Sequence, residues 1–433
     1  MPLAVVTGVY VALFAYYLQR TIIVEPYWDM YSHVLRYLQL QQDGGWWSYL
    51  WDPHVQHRHV WMRLLTALDV EVFRGIAYPF IVAAAASLGG TTWLLWREAR
   101  RIQPSEVATT VGAFVVMFLL TAVAAVICAI PMDSVYPQAL FFTVLAMVLF
   151  DGPGDFPTNR WLEWRRAAAL LAAIGAAFGS GATLPLWPIL IWIAWRARAG
   201  AAWIAAIAIA GGAFVALYVI GLPLRDQVAA PGTVDNGVVV QLLRTGDYFL
   251  AYVGLPWTRA EALAVPGRAV GAALSAAGCY AVIRYGLVLR SLTRMERIAV
   301  ALVMFSLATA VLAAVGRATL GDPRVPVRYS LFVAPLHIGL LWLATPYLVR
   351  QWKIAGRRRR FRGLALGAAS ILLVQQVAVG ETAAATTDAM RASIRRFMAG
   401  ETEPAMERVV FDNLEQARRA WTRIRDAGLY GGR

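Results

Sequence analysis

Apolar blocks long enough to cross a lipid bilayer recur along this sequence, and most polar residues are gathered between them. A hydrocarbon core about 30 Å thick requires about 20 apolar residues in a helix, whereas a soluble domain buries its apolar residues in shorter periodic patches. Charged residues make up only 15% of the chain, compared with about a quarter in soluble domains. The sequence therefore predicts an all-α fold, a polytopic transmembrane helical bundle.

The blocks divide the chain into about eleven predicted spans, with the N-terminus on the inside. The spans cover residues 3–24, 76–96, 107–130, 136–151, 167–180, 183–196, 201–222, 268–289, 298–316, 329–349 and 363–380. The two short blocks around Gly179-Ser180-Gly181 can also be interpreted as one broken or re-entrant element. The first block lacks a basic leading segment and a small-residue cleavage site, so we expect it to be a retained span.

The net charge of +14 comes from short arginine clusters between the apolar blocks. The clusters are Arg97/Arg100/Arg101, Arg160/Arg165/Arg166, Arg196/Arg198, Arg290/Arg294/Arg297, and Lys353 with Arg357 to Arg362. If the spans alternate, every cluster falls on the same side, which the positive-inside rule identifies as the cytoplasm. This distribution is typical of a membrane protein surrounded by lipid, and it argues against a nucleic-acid partner.

The same alternation assigns the remaining loops and the tail to the outer side. These segments are 25–75, 131–135, 223–266, 317–328 and the tail from Glu381. We predict a transmembrane domain over 1–380, which includes a helical outer loop at 25–75, and a short outer tail over 381–433. In the tail, apolar residues at helical spacing predict an amphipathic helix. They are Met406, Val409, Leu414, Ala417, Trp421 and Ile424.

The loop after the first span holds the densest group of charged and polar side chains. Glu25-Pro26 predicts a helix start, because proline in the first turn has no intrahelical N–H bond to lose. From there Glu25, Asp29, His33 and Arg36 follow helical spacing and share one face. That face can line a cavity, or it can be a solvated surface on which Asp29 simply pairs with His33 or Arg36.

Four of the five histidines lie in this one loop, at positions His33, His54, His57 and His59. Asp52, Arg58 and Arg63 stand among them, so the segment is rich in groups that bind phosphate or transfer protons. The spacing matches no standard zinc pattern. We therefore predict no metal site here and favour anion recognition by the two arginines and a protonatable histidine.

Two further outer segments hold groups that could join the same site. Asp133 lies on a very short turn between two spans, and Arg324, Arg328 and Tyr329 precede the tenth span. Arginines at such positions often extend toward the interface without binding anything. The functional alternative is a pocket for a phosphate at membrane depth.

This arrangement resembles the GT-C superfamily of integral-membrane glycosyltransferases. The resemblance rests on the first span followed by a long outer loop that opens with Glu25 and Asp29. It also rests on the stretch from His57 to Leu65 (HRHVWMRLL) with Asp69, and on Arg328-Tyr329 at the mouth of a late span. The chain differs from the larger members of the superfamily in lacking a big outer C-terminal domain.

The resemblance implies a GT-C-like enzyme in the bacterial inner membrane whose active site faces the periplasm. Such an enzyme moves a sugar from a polyprenyl-phosphate donor to a glycan, lipid or protein acceptor, with inversion at the anomeric carbon. The family's catalytic position, the acidic residue of the first outer loop, maps best onto Asp29, which would act as the general base, with Glu25 as the second candidate. Arg58, Arg63 or Arg328 would stabilise the departing phosphate. A divalent metal, Mg²⁺ or Mn²⁺, stays open as a cofactor.

Two alternatives remain at the level of sequence. A glycan ligase of the O-antigen type would depend on arginine and histidine more than on a carboxylate. A transporter or flippase for a lipid-linked or anionic substrate would favour ionisable residues in mid-span and inverted repeats. The predicted spans contain few such charges and no clear repeat.

Overall fold

A computed structural model describes most of the chain, and the regular elements within the described residues are helices. The described residues are 2–43, 45–54, 58–152, 159–221, 238–255, 264–317, 325–401, 403, 406, 410–411 and 413–431. The predicted all-α class is therefore confirmed for this part of the chain.

The helices follow the apolar blocks closely. Their bounds are α1 Pro2–Thr21, α2 Asp29–Asp43, α3 Trp46–Trp51, α4 Val60–Phe73, α5 Tyr78–Ala99, α6 Ser105–Leu119, α7 Ala122–Ala129, α8 Val135–Phe150, α9 Asn159–Ala177, α10 Leu186–Arg196, α11 Ala201–Val219, α12 Val238–Gly254, α13 Ala264–Ala281, α14 Arg294–Arg317, α15 Ala334–Lys353, α16 Ala355–Met398 and α17 Leu414–Asp426. Short 3₁₀ turns at Pro131–Ser134, Gly181–Thr183 and Val327–Phe332, and a π-helical end at Val282–Val288, complete the elements.

Eight of the described helices are long and apolar enough to cross a membrane, or nine if the bent pair α6 and α7 counts as one span. The multi-pass membrane character predicted from the sequence is supported at this level. Two of the eleven predicted spans correspond to helices that do not reach that standard. One of them, α9, begins with the charged segment NRWLEWRR, and the other, α10, has only 11 residues.

The bend between α6 and α7 is 45°, and a side chain from α16 satisfies the backbone there. The Gln376 amide nitrogen donates to the Leu120 carbonyl at 3.2 Å, and its amide oxygen accepts from the Ala122 N–H at 2.6 Å. Thr121 caps α7 by accepting from the Ala124 N–H at 3.1 Å. Backbone groups freed by a broken helix must find such partners inside a bilayer, because no water is available to them.

The last predicted span is longer than the apolar block at 363–380 suggests. α16 runs without a break for 44 residues, about 66 Å at 1.5 Å per residue, so it extends well beyond a hydrocarbon core of about 30 Å. The residues after Glu381 therefore begin as a continuation of this helix. Of the tail residues predicted to form an amphipathic helix, Leu414, Ala417, Trp421 and Ile424 lie in α17, and the last three are buried. Met406 is buried as well, and Val409 lies outside the described residues.

Helices α2, α3 and α4 pack against one another at the end of the bundle where α1 ends and α5 begins, and α17 packs on α2. We call this group of four helices the cap. Trp61 of α4 joins the cap to the bundle, because its indole N–H donates to the Gly175 carbonyl at 2.7 Å and its ring stacks on Phe142. The predicted loop is thus a helical unit seated on the bundle. The predicted helix start at Glu25-Pro26 is wrong, because the first helix begins at Asp29 after Trp28 with a positive φ of 47°, so Glu25 does not share its face.

α12 and α13 cross at glycines, with no room for a side chain between them. A Cβ on Gly271 would overlap the Leu250 carbonyl oxygen, and a Cβ on Gly254 would overlap the Gly267 carbonyl oxygen. Small residues permit this close approach of helix backbones in membranes.

Replacing Gly271 with alanine should therefore destabilise the protein, by about 2 kcal/mol for a well-packed site. The measurement is the melting temperature of the detergent-purified protein. Gly367→Ala is the matched control, because a Cβ at Gly367 meets nothing within 4 Å. Equal melting temperatures for both variants would contradict the close crossing.

Candidate functional site

Asp29, the first residue of α2, lies beside His54 in the cap. The Asp29 Oδ1 and His54 Nε2 atoms are 3.3 Å apart, an ion-pair distance without the alignment of a hydrogen bond. The Asp29 side chain is 40% exposed and that of His54 is 15% exposed. The sequence leaves open whether Asp29 pairs with His33 or with Arg36. Its ion-pair partner is instead His54, from the segment after α3.

Opposing effects act on the pKa of Asp29. Partial burial raises the pKa, but contact with His54, together with the charge of Arg328, lowers it by more, so it lies below its ordinary value of 3.8. Asp29 is therefore ionised at neutral pH. An ionised carboxylate that is still accessible can accept a proton from a bound hydroxyl group.

Three of the four histidines of the loop come together around Asp29. The ring centres of His33 and His54 are 4.7 Å apart, and His59 lies 6.0 Å from the first and 5.8 Å from the second. Burial, then the charges of His54 and Arg63, lower the pKa of His33 to about 3, so this ring is neutral. His57 lies outside the described residues. Among the residues that are described, no group of three His, Cys, Asp or Glu side chains could hold a metal ion.

Arg58, expected from sequence to recognise an anion, is engaged with the protein backbone. Its guanidinium donates to the carbonyl of Tyr218 at 2.9 Å and to those of Trp51 and Ile220, and it lies over the Trp51 ring. The residue is only 4% exposed. The structure thus corrects the expectation: Arg58 ties the loop to the end of α11, and its donors face carbonyl oxygens.

Arg63 is also placed differently from the expectation, since it is fully buried inside the cap. It donates to the Tyr49 carbonyl, and the Tyr49 hydroxyl donates back to the Arg63 carbonyl at 2.9 Å. Burial, followed by the charge of Arg36, lowers the pKa of Arg63 to about 10. Its Nε and one Nη have no partner within the described residues, so only an anion that entered the cap could reach them.

Arg36 and Asp52 form a pair on the cap surface. The Arg36 Nη1 and Asp52 Oδ2 atoms are 3.7 Å apart, and both side chains are more than a third exposed, at 40% and 44%. An exposed ion pair of this kind contributes little to stability, about 0–1 kcal/mol. From the sequence, a pair on a solvated surface is one interpretation of Asp29. The structure shows such a pair between Arg36 and Asp52.

Glu25 and Asp29, the two catalytic candidates, differ in their surroundings. The Glu25 carboxylate accepts from the Arg395 Nε at 2.8 Å and is 11% exposed. Arg395 belongs to the far end of α16, so this contact joins the loop to the long helix. Glu25 is committed to an ion pair between elements, whereas Asp29 faces the histidines and an accessible space.

Asp133, Arg328 and Tyr329 form a second group beside the first. The Arg328 Nη1 lies 3.8 Å from the Asp133 Oδ1, and its guanidinium lies over the rings of Tyr136 and Tyr329 at 5.8 and 5.9 Å. The charge of Arg328 helps to lower the pKa of Asp29, so the two groups are within electrostatic range of each other. Arg324 lies outside the described residues.

Buried polar atoms without a hydrogen-bond partner accompany this second group. Within the described residues they are the Tyr27 and Tyr252 hydroxyls, the Ser134 hydroxyl, the Gln138 amide nitrogen and the Arg328 Nε. Buried polar groups are nearly always hydrogen-bonded in native proteins, so such atoms point to water or to a polar ligand. Neither Tyr27 nor Tyr252 stands out as a site residue in the sequence. Tyr27 stands two residues before Asp29, but no motif distinguishes Tyr252, which reaches the group by stacking on Tyr329 at 5.6 Å.

The cap also has an anchor that does not belong to the candidate site. Asp69 is fully buried; it accepts from the Ala77 N–H at 3.0 Å and from the Tyr430 hydroxyl at 3.2 Å. The Tyr430 ring lies so close to Gly75 that a Cβ there would overlap it. Asp69, one of the residues that carry the family resemblance, thus holds the end of the chain against the cap.

The sequence matches no family model, and neither the curated proteins nor the solved structures give a significant match. The resemblance to the GT-C superfamily therefore remains an expectation that depends on the residues quoted for it. Function must be inferred from these residues and their geometry.

Asp69 should make the stability of the protein depend on pH. Burial raises its pKa to about 6 in spite of its two hydrogen bonds, so the folded state holds a proton that the unfolded chain releases near pH 3.8. Stability contributed by this group is therefore present at low pH and lost as pH rises toward 6.

The measurement is the melting temperature of wild type and Asp69→Asn between about pH 5 and about pH 8. The difference between wild type and variant should become less favourable to wild type as pH rises. A difference that is constant, or that grows with pH, would contradict the raised pKa.

Proposed function

We propose that this chain is a membrane glycosyltransferase of the GT-C type, which transfers a sugar from a polyprenyl-phosphate donor to an acceptor hydroxyl. The observation that carries the proposal is the position of Asp29. It is an ionised, accessible carboxylate within electrostatic range of Arg328 and of a group of unpartnered buried polar atoms. A base beside a cation and hydroxyl-binding groups is what glycosyl transfer from a phosphate requires.

In the proposed reaction Asp29 accepts the proton of the acceptor hydroxyl as that oxygen attacks the anomeric carbon. A new glycosidic C–O bond forms while the bond from the anomeric carbon to the phosphate oxygen breaks. The polyprenyl phosphate leaves with the bonding electrons, and configuration at the anomeric carbon is inverted. His54, 3.3 Å from Asp29, orients the carboxylate and can take the proton onward.

The departing phosphate is best served by Arg328. Arg58 is occupied by backbone carbonyls and Arg63 is enclosed within the cap, whereas Arg328 is a third exposed and keeps an unpartnered Nε. Cationic groups that are already in place stabilise charge as it develops on a leaving group. The Arg328 guanidinium lies over the rings of Tyr136 and Tyr329, and these contacts help to keep it in position.

The proposal includes a topology of eleven spans with the cap facing the periplasm of a bacterial inner membrane. Every predicted span coincides with a helix, with α6 and α7 taken together and with α9 and α10 included. The arginine clusters lie at the ends of helices opposite the cap, as the positive-inside rule expects for the cytoplasmic face. A donor carried on a membrane lipid fits this topology, because its phosphate resides at the interface.

Replacing Asp29 with asparagine should abolish sugar transfer, lowering the rate by at least about 100-fold, as expected for the loss of a general base. Folding should be unaffected, because the contact of the Asp29 side chain within the described part of the chain is with His54, and asparagine has the same size. The measurement is transfer from a polyprenyl-phosphate sugar by the purified protein in detergent or lipid.

Glu25→Gln is the matched control, since it also neutralises a carboxylate of the loop but removes the pair with Arg395. It should keep the transfer activity and change only thermal stability. If Asp29→Asn keeps full activity while a donor is consumed, a ligase that uses arginine and histidine becomes the better assignment. If wild type and Asp29→Asn both fail to transfer sugar but both move a lipid-linked substrate across the membrane of vesicles, the chain is a transporter.

Arg328→Gln should raise the KM for the donor and lower kcat, because the phosphate is bound before transfer and gains charge during it. Arg328→Lys should restore part of the activity by restoring the charge. Arg20→Gln provides a control, since Arg20 forms an exposed ion pair with Asp388 on the outside of the bundle. Normal kinetics in Arg328→Gln would remove this residue from the site.

A further inference from the structure

A second cluster of charged residues lies at the end of the bundle opposite the cap. α5 begins beside the cap and ends at Ala99, about 33 Å away for its 22 residues. Around this end five arginines from α5, α9 and α14 and the turn after α5 surround two carboxylates. The arginines are Arg97, Arg101, Arg165, Arg294 and Arg297, and the carboxylates are Glu98 and Asp151.

Two of these arginines neutralise the two carboxylates. Arg297 donates twice to Asp151, at 2.9 and 2.8 Å, and Arg294 donates to Glu98 and to the Val148 carbonyl at 3.1 Å. Glu98 and Asp151 are 3% and 2% exposed, so each needs such a partner to stay ionised. These contacts join α5, α8 and α14 and account for the structural part of the cluster.

Three arginines remain in excess. Arg97 and Arg101 each lie 3.4 Å from Glu98, which Arg294 already neutralises, and their side chains are 41% and 50% exposed. Arg165 makes a hydrogen bond to the Val148 carbonyl at 3.2 Å and has no carboxylate within ion-pair distance among the described residues. The Nε atoms of Arg97 and Arg165 have no partner within that part of the chain. Counted over the residues that the structure describes, the cluster thus carries surplus positive charge and two buried N–H donors without a partner.

Exposed tryptophans mark the depth of this cluster in the membrane. Trp93, Trp161, Trp164 and Trp195 have 53%, 53%, 66% and 54% of their surfaces exposed. All four lie in the last turns of α5 and α10 or the first turns of α9, and the Arg97 guanidinium lies over the Trp93 ring at 4.8 Å. Tryptophan is enriched at the level of lipid headgroups. The surplus arginines therefore lie where headgroup phosphates lie.

We propose that Arg97, Arg101 and Arg165 form a binding site for the headgroup of an anionic phospholipid. Arginine is well suited to such a ligand, because its fork of N–H donors matches the oxygens of a phosphate. Basic pockets between transmembrane helices bind anionic lipid headgroups in this manner. A soluble phosphate compound would gain nothing from the exposed tryptophans, whereas the acyl chains of a phospholipid can lie against them. This site is independent of the proposed glycosyl transfer.

The test uses the full-length protein purified in a neutral detergent and probed with phosphatidylglycerol and with phosphatidylcholine. Native mass spectrometry measures how much of each lipid stays bound. We expect wild type to retain phosphatidylglycerol in preference to phosphatidylcholine. The double variant Arg97→Gln/Arg165→Gln should bind phosphatidylglycerol more weakly, by roughly fivefold for each arginine and about 25-fold for both.

The double variant should still fold, because Glu98 keeps Arg101 and Arg294, and unchanged helix content checks this. Arg359→Gln/Arg360→Gln, which removes the same charge from the exposed start of α16, is the matched control and should bind as wild type does. Arg97→Lys/Arg165→Lys should keep part of the preference even if the glutamine variant fails to fold.

Three results would overturn the proposal. The first is equal retention of the two lipids by wild type, and the second is equal weakening by the variant and the control, which would indicate a general effect of positive charge. The third is protection of wild type against thermal unfolding by inorganic phosphate but not by phosphatidylglycerol, which would make the ligand a soluble anion.

Discussion

The absence of water from the hydrocarbon core is the constraint on which the rest of this structure depends. A backbone group in that layer must bond within its own helix or to a side chain, as Gln376 does at the break between α6 and α7. Charged side chains are excluded from it for the same reason. Nearly all chemically active groups are consequently displaced to the two ends of the bundle, where each end has acquired a different arrangement.

At the cap end, structural and candidate functional groups are interleaved along a short stretch of sequence. Arg58 holds the loop to the bundle through the Tyr218 carbonyl. Inside the cap, Arg63 is bonded to Tyr49, and Asp69 accepts from the Ala77 N–H. Asp29 and His54 are left with accessible atoms. Arg58 and Arg63 are therefore structural supports beside the histidines. The partly exposed arginine within electrostatic range of the Asp29 carboxylate is Arg328, almost 300 residues further along the chain.

The opposite end shows the same division among its arginines. Arg294 and Arg297 neutralise buried carboxylates and connect three helices, while the Nε atoms of Arg97 and Arg165 have no partner among the described residues. An arginine that is enclosed or fully hydrogen-bonded contributes rigidity, and an exposed one with donors to spare can recognise a phosphate. Charge counting alone cannot separate these roles, because each arginine adds the same unit of charge to its cluster.

The sequence by itself determined the membrane class, the helices that correspond to its apolar blocks, the amphipathic helix α17 and the loop in which the histidines gather. Each of these follows from local periodicity or from the transfer free energy of consecutive residues, and both can be read from neighbours in the chain. Only the tertiary structure decided that α16 continues past Glu381, that Glu25 is bound to Arg395, and that Arg58 faces backbone carbonyls. It also brought Asp133 and Arg328 within electrostatic range of Asp29. These outcomes depend on contacts between residues far apart in sequence, and no local pattern specifies which of several similar charged groups will find a partner.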